Sequence, residues 1–253
     1  RREGNPSPRI AETPMGMLNS VGLQNPGVDG FIREDVPFLE KLDCVVIANV
    51  AGRTEEDYCY AVEKISACKC VKMVELNISC PNVKAGGMAF GVLPESVEKI
   101  TRAVKKHCAK PLMVKLSPNV ANIADNARAA ENGGADCLSL INTVGGMAIN
   151  WRTRKPVLAN VCGGLSGPAI KPIALKMVYE THKAVKIPIV GMGGITTADD
   201  IMEFMVAGAA AVQIGSANIF DPCAGINLVN ELTNLMKRCN INNVRELTGT
   251  LSV

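Results

Sequence analysis

The sequence predicts an α/β chain of the (β/α)8 TIM barrel class, with the barrel's first strand missing. Short runs rich in Val and Ile alternate with longer stretches of helical period, as parallel βαβ units do. Such units recur too often for a small open sheet, and 253 residues fit one barrel domain. Polar residues and glycines gather where the apolar runs end, the face on which barrels build their sites.

Six runs read as strands, at 44–49, 73–79, 112–116, 137–142, 187–191 and 211–215. Helical stretches lie between them near 54–68, 93–108, 122–133, 168–185 and 197–208, with further helices at 28–42 and after the last strand. Thr54 before Glu55, Glu56 and Asp57, and Thr197 before Asp199 and Asp200, each supply a hydroxyl cap and early acids for a helix start. Eight strands close a barrel, and six are counted. The stretch 15–25 offers only a short extended element, and the chain opens in a polar loop without Met. An N-terminal strand is therefore expected to be missing, and a second to lie in a segment of weaker pattern. The stretch 146–167, with Trp151, Arg152, Arg154 and Lys155, exceeds an ordinary strand–helix loop. It is expected to be an excursion over the top of a single domain, 1–253, where function concentrates.

Composition excludes several classes. The net charge of +3 is interleaved with acids, too small an excess for a nucleic-acid or membrane partner. No apolar run has the length of a membrane span, and the opening residues make no signal peptide, so a cytoplasmic protein is expected. Ten cysteines are scattered without a CxxC pair, and the histidines are two, His107 and His182, so no metal or iron–sulfur site is expected in this chain. Most of the thiols are expected to be small core residues in a reducing compartment, and the histidines to lie on solvated helix faces.

The polar strand ends carry the chemistry. Asn49 closes one run; Asn77, Ser79, Cys80 and Asn82 close the next; Asn142 and Thr143 end another. An array of asparagines offers donors and acceptors to a planar heterocycle with amide edges, or else each caps a turn. Gly193-Gly194 and Gly215-Ser216 end the last two runs. Glycines there let backbone N–H groups approach a phosphate, which implies a phosphorylated ligand of which FMN is a common one; simple turns are the plainer reading. Lys115, inside a strand, is either half of a structural salt bridge or a cation that stabilises charge on a flavin ring. Cys80 leaves its strand between Ser79 and Pro81. Its thiol titrates nearer neutrality than a hydroxyl and can act as a base; a buried, inert thiol is the alternative.

Read as runs, these residues resemble class 1 dihydroorotate dehydrogenases. The resemblance rests on Glu75-Leu-Asn-Ile-Ser-Cys-Pro-Asn-Val83, Asn19-Ser-Val-Gly-Leu23, Ile47-Ala-Asn-Val-Ala-Gly52, Val114-Lys-Leu-Ser-Pro118 and Gly164-Leu-Ser-Gly-Pro-Ala-Ile-Lys171. It implies Cys80 as catalytic base, with Asn19, Val21, Gly22, Leu23, Asn77, Asn142 and Thr143 binding dihydroorotate or orotate. It also implies FMN, with Asn49, Asn77, Lys115 and Ile141 at the ring or ribityl chain and Gly167, Gly193, Gly194, Gly215 and Ser216 mainly around the phosphate. The run Lys84-Ala-Gly-Gly-Met-Ala-Phe-Gly91 resembles the NAD-linked subclass, class 1B. Members of that subclass pair with a second subunit carrying FAD and a 2Fe–2S cluster, and a homodimer is expected. Dihydropyrimidine dehydrogenase has a similar barrel, but its catalytic cysteine falls near Phe90, which argues against it. The family's N-terminal segment, with a lysine and a serine that contact flavin, has no counterpart here. A truncated non-catalytic paralogue and a barrel lyase or synthase acting on a phosphorylated substrate remain as alternatives. Retention of Cys80, Lys115 and the strand-end asparagines together favours the enzyme.

Overall fold

A computed structural model describes residues 1–79 and 88–253, apart from the side chains of Met88 and Ala89. The strands are β1 (Ile10–Thr13), β2 (Gly16–Asn19), β3 (Val46–Val50), β4 (Val71–Asn77), β5 (Leu112–Lys115), β6 (Cys137–Leu140), β7 (Val144–Met147), β8 (Ile149–Asn150), β9 (Lys155–Pro156), β10 (Cys162–Ser166), β11 (Ile189–Met192) and β12 (Ala211–Gln213). The helices are α1 (Val28–Glu34), α2 (Val36–Leu39), α3 (Glu55–Ser66), α4 (Met88–Gly91), α5 (Pro94–Lys105), α6 (Ile123–Asn132), α7 (Lys171–His182), α8 (Ala198–Ala207), α9 (Ala217–Phe220) and α10 (Ala224–Arg238). No described helix is long and apolar enough to cross a membrane.

Each of the six expected runs becomes one strand of a parallel sheet ordered β12-β11-β6-β5-β4-β3. Boundaries move where the ladder demands it. Pro188 has no N–H to donate and stays ahead of β11, although its carbonyl accepts from the Leu138 N–H at 3.0 Å. Alternation then sorts the side chains. Ala48, Val50, Val74, Leu76, Leu112, Val114, Leu138 and Leu140 pack outward into the core under the helices. The opposite parity places Asn49, Glu75, Asn77, Met113, Lys115, Cys137, Ser139 and Gln213 on the inner face.

The sheet is curled into a barrel wall. Gln213 on edge strand β12 donates to Glu75 on β4 at 3.1 Å. Four strand spacings separate these strands, so a flat sheet would hold the two residues about 19 Å apart. Among the described residues six strands, not eight, form this sheet, and β3 and β12 are its edges. Ile47 on β3 is 45% exposed as a result.

Both expected caps form. The Thr54 side chain accepts from the Asp57 N–H at the start of α3, and Thr197 with Asp200 makes a capping box at α8. On α3, Tyr58 is fully buried and its hydroxyl donates to the Asn77 carbonyl at 2.8 Å, tying helix to strand end. The short element expected in 15–25 is not part of the parallel sheet. It is β2, in an antiparallel sheet ordered β1-β2-β10-β7 whose last two strands flank the β8–β9 hairpin. Of the nine described cysteines, Cys137 is buried and Cys59, Cys68, Cys70 and Cys108 are half-buried against the core, whereas Cys44, Cys162, Cys223 and Cys239 are exposed, against expectation. Of the exposed ones, Cys44 stands ahead of β3 and Cys223 and Cys239 at the ends of α10, while Cys162 opens β10. Burial pushes the Cys137 thiol up to about 11.

Candidate active site

A cavity of about 390 Å³ opens at the C-terminal ends of β5, β6, β11 and β12. Lys115, Ile141, Met192 and Gln213 form its floor and sides, while Ile10, Met17 and Asn19 from the antiparallel sheet wall it from the other side. Ser166 and Gly167, at and just past the end of β10, line it together with the β1–β2 hairpin.

Most sequence-predicted residues meet here. Asn19, Val21, Lys115, Ile141, Asn142, Thr143, Gly167, Gly193, Gly194, Gly215 and Ser216 all line the cavity. Gly193 and Gly194 have φ of +128° and +78°, a region open to glycine. A side chain on Gly194 would meet the Gly167 carbonyl oxygen at 2.8 Å, whereas the same direction on Gly215 is empty to 4 Å. The backbone can thus come close to an anion at that end. Gly22 and Leu23 do not line the cavity; the Leu23 carbonyl accepts instead from Asn25 at 2.6 Å. Asn49 and Asn77, on the inner face, are not among the residues that line the cavity and hydrogen-bond to each other. Cys80 and Asn82 lie outside the described residues.

The residue that sequence reasoning missed is Glu75. It is 4% exposed and receives Ser139 Oγ at 2.7 Å, Gln213 Nε2 at 3.1 Å and the Asn49 amide, with Lys115 Nζ at 3.9 Å. From Asn49 a directed row of hydrogen bonds runs outward. Asn77 Nδ2 donates to Asn49 Oδ1 at 3.2 Å, Ser79 Oγ to Asn77 Oδ1 at 3.2 Å, and Asn142 Nδ2 to Ser79 Oγ at 2.8 Å. Asn142 Oδ1 then accepts from the Thr143 N–H at 2.7 Å. Sequence parity contained the clue: an acid two residues before Asn77 on one strand shares its inward face.

A second ion pair fastens the glycine-rich end. Lys171, at the start of α7, donates to Asp200 at 2.6 Å and lies 3.0 Å from Glu203. The other Asp200 oxygen accepts from the N–H groups of Thr196 and Thr197, both at 2.8 Å, just beyond Gly194. Burial alone would raise the Asp200 carboxyl, but Lys171 and the two amides outweigh it and hold it from 3.8 down to about 2. The same hydrogen bond raises the Lys171 ammonium. A depressed carboxyl stabilises the fold fully above its unfolded value and loses that contribution as pH falls from 3.8 through about 2. Urea unfolding of Asp200→Asn is expected to show about 2 kcal/mol less stability than the native sequence at pH 7, with the gap closing across that window. A gap that persists unchanged at pH 2 would reject the assignment.

The chain matches the family model described as dihydroorotate dehydrogenase over residues 1–236. It is 56% identical over 249 residues to the dihydroorotate dehydrogenase B (NAD(+)) catalytic subunit of Alkaliphilus metalliredigens, covering 98% of this chain and 82% of that protein. It is 54% identical over 252 residues to the protein of the same description from Thermoanaerobacter pseudethanolicus, covering 100% and 83%. Among solved structures, the Eimeria tenella dihydroorotate dehydrogenase in complex with ferulenol shares the fold with a TM-score of 0.81 at 23% identity, over 98% of this chain and 75% of that one.

Proposed function

The chain belongs to the dihydroorotate dehydrogenase family, and from that premise we propose how its residues oxidise dihydroorotate to orotate in pyrimidine biosynthesis, with NAD as the final acceptor. The observation that carries the reading is the meeting of Lys115, Asn19, Asn142, Thr143 and the glycines at one cavity on the C-terminal strand ends. The donor set fits FMN: Lys115 offers a cation beside the ring, and Gly167, Gly193, Gly194, Gly215 and Ser216 offer backbone to its phosphate. Bound FMN supplies the two-electron acceptor for the hydride that leaves C6 of the substrate.

This chain's residues do the rest. Cys80, as thiolate, takes the C5 proton, so that a C5–C6 double bond forms as proton and hydride leave. Asn19, Asn77, Asn142 and Thr143 match the amide and carboxylate groups of the pyrimidine with donors and acceptors, and Val21, Gly22 and Leu23 close over it as a loop. Asn49 and Ile141 pack at the flavin side. Electrons leave through a partner subunit holding FAD and a 2Fe–2S cluster, and the catalytic subunit forms a homodimer in the cytoplasm. Anaerobic addition of dihydroorotate to the FMN-loaded, full-length protein is expected to bleach the long-wavelength flavin band. An oxidised spectrum that persists at saturating dihydroorotate would overturn the reading.

A further inference from the structure

Glu75 sits one layer beneath the cavity and touches two of the residues that line it. Lys115 presents its ammonium to the cavity and lies 3.9 Å from the Glu75 carboxylate; Gln213, also in the lining, donates to the same carboxylate at 3.1 Å. Ser139 and Asn49 complete the ring of donors. A carboxylate only accepts, so Asn49 must turn its NH2 toward Glu75 and its oxygen toward Asn77. That choice passes along the row. Asn77 gives its oxygen to Ser79, and Ser79 accepts from Asn142, which lines the cavity where the substrate is placed.

We infer that Glu75 is a positioning residue that sets two properties of the cavity at once: the effective charge of Lys115, and the direction of the hydrogen bonds ending at Asn142. The inference rests on the flavin-and-dihydroorotate reading above and deepens it. An anion behind Lys115 offsets part of the positive charge the flavin meets, so it lowers the tendency of the flavin to take up electrons. Removing the anion strengthens that tendency. It also frees Asn49 to flip, because a glutamine at 75 offers an NH2 where the row needs an acceptor.

The test compares the FMN-loaded full-length protein with Glu75→Gln, Glu75→Asp, Lys115→Met and the double variant Lys115→Met/Glu75→Gln. The flavin midpoint potential is read by spectroelectrochemical titration, and orotate affinity from the perturbation of the flavin spectrum. Glu75→Gln is expected to shift the reduced-to-oxidised equilibrium tenfold toward reduced, about 30 mV upward for a two-electron couple, and to weaken orotate about tenfold. Glu75→Asp, which keeps the charge, is expected to retain the native potential. Because the Glu75 charge is felt by the flavin whether or not Lys115 is present, the double variant is expected to lie above Lys115→Met in potential by a shift of the same sign. That comparison decides the matter even where Glu75→Gln alone is not recovered folded, since both charges leave together. Unchanged potential and orotate affinity in Glu75→Gln, or a double variant whose potential equals that of Lys115→Met, would overturn the inference. A native protein that binds no FMN, or is not bleached by dihydroorotate, would instead count against the functional reading itself.

Discussion

Replacement of Cys80 by alanine is expected to leave FMN bound and to slow flavin reduction by dihydroorotate about a hundred- to ten-thousand-fold. Loss of a positioned base acts on the chemical step and leaves the contacts that bind the cofactor in place. The neighbouring polar groups cannot substitute for it. Ser79 is buried, and its hydroxyl is taken up between Asn77 and Asn142. The asparagines carry no titratable group, and both histidines lie on helices or helix ends away from the cavity lining. Stopped-flow reduction of the FMN-loaded variant measures the effect directly, and a native rate would remove Cys80 from the role of base.

The second large effect is on stability. Phe204→Ala is expected to cost about 3–5 kcal/mol, a large share of the roughly 5–15 kcal/mol that holds a typical domain together. Phe204 on α8 is fully buried, and its ring lies against the bare backbone of Gly191: a Cβ there would stand 2.5 Å from the ring. The helix can approach β11 this closely because no side chain intervenes. Just past the end of that strand, Gly193 and Gly194 line the cavity. A void at Phe204 therefore loosens the strand that leads into the glycine-rich end of the cavity. Urea unfolding checks the stability change, and a loss below about 1 kcal/mol would mean the neighbouring Met205 and Ile201 collapse into the space.

Much of this architecture was legible in the sequence because it depends on local rules. The apolar runs became strands of one parallel sheet, and Thr54 and Thr197 became helix caps, since periodicity and capping need no knowledge of distant residues. The cavity lining was largely readable too, because strand ends converge on one face of such a sheet. What escaped depends on long-range closure. Glu75 reads as an acid in an apolar run until Gln213 and Ser139 are brought to it by curvature. The antiparallel sheet over the cavity joins β2 to β10 across a long stretch of chain, and hairpin rules do not reach that far. The cysteines misled because thiols are small and apolar enough for a core yet cost little at its margin.

The hydrogen bond from Gln213 to Glu75 joins residues 138 positions apart. A ribosome needs on the order of ten seconds to make that interval. During that time the acid has emerged while one of the donors that will enclose it has not been synthesised. A nascent chain that packed its inner face early would bury an incompletely solvated charge, so the inner face gains by staying wet until β12 arrives. The outward face carries no such debt, and its aliphatic side chains can collapse under the helices as each βα unit appears. Assembly from the outside in, with the catalytic interior sealed last, is what this placement of one carboxylate asks of protein synthesis.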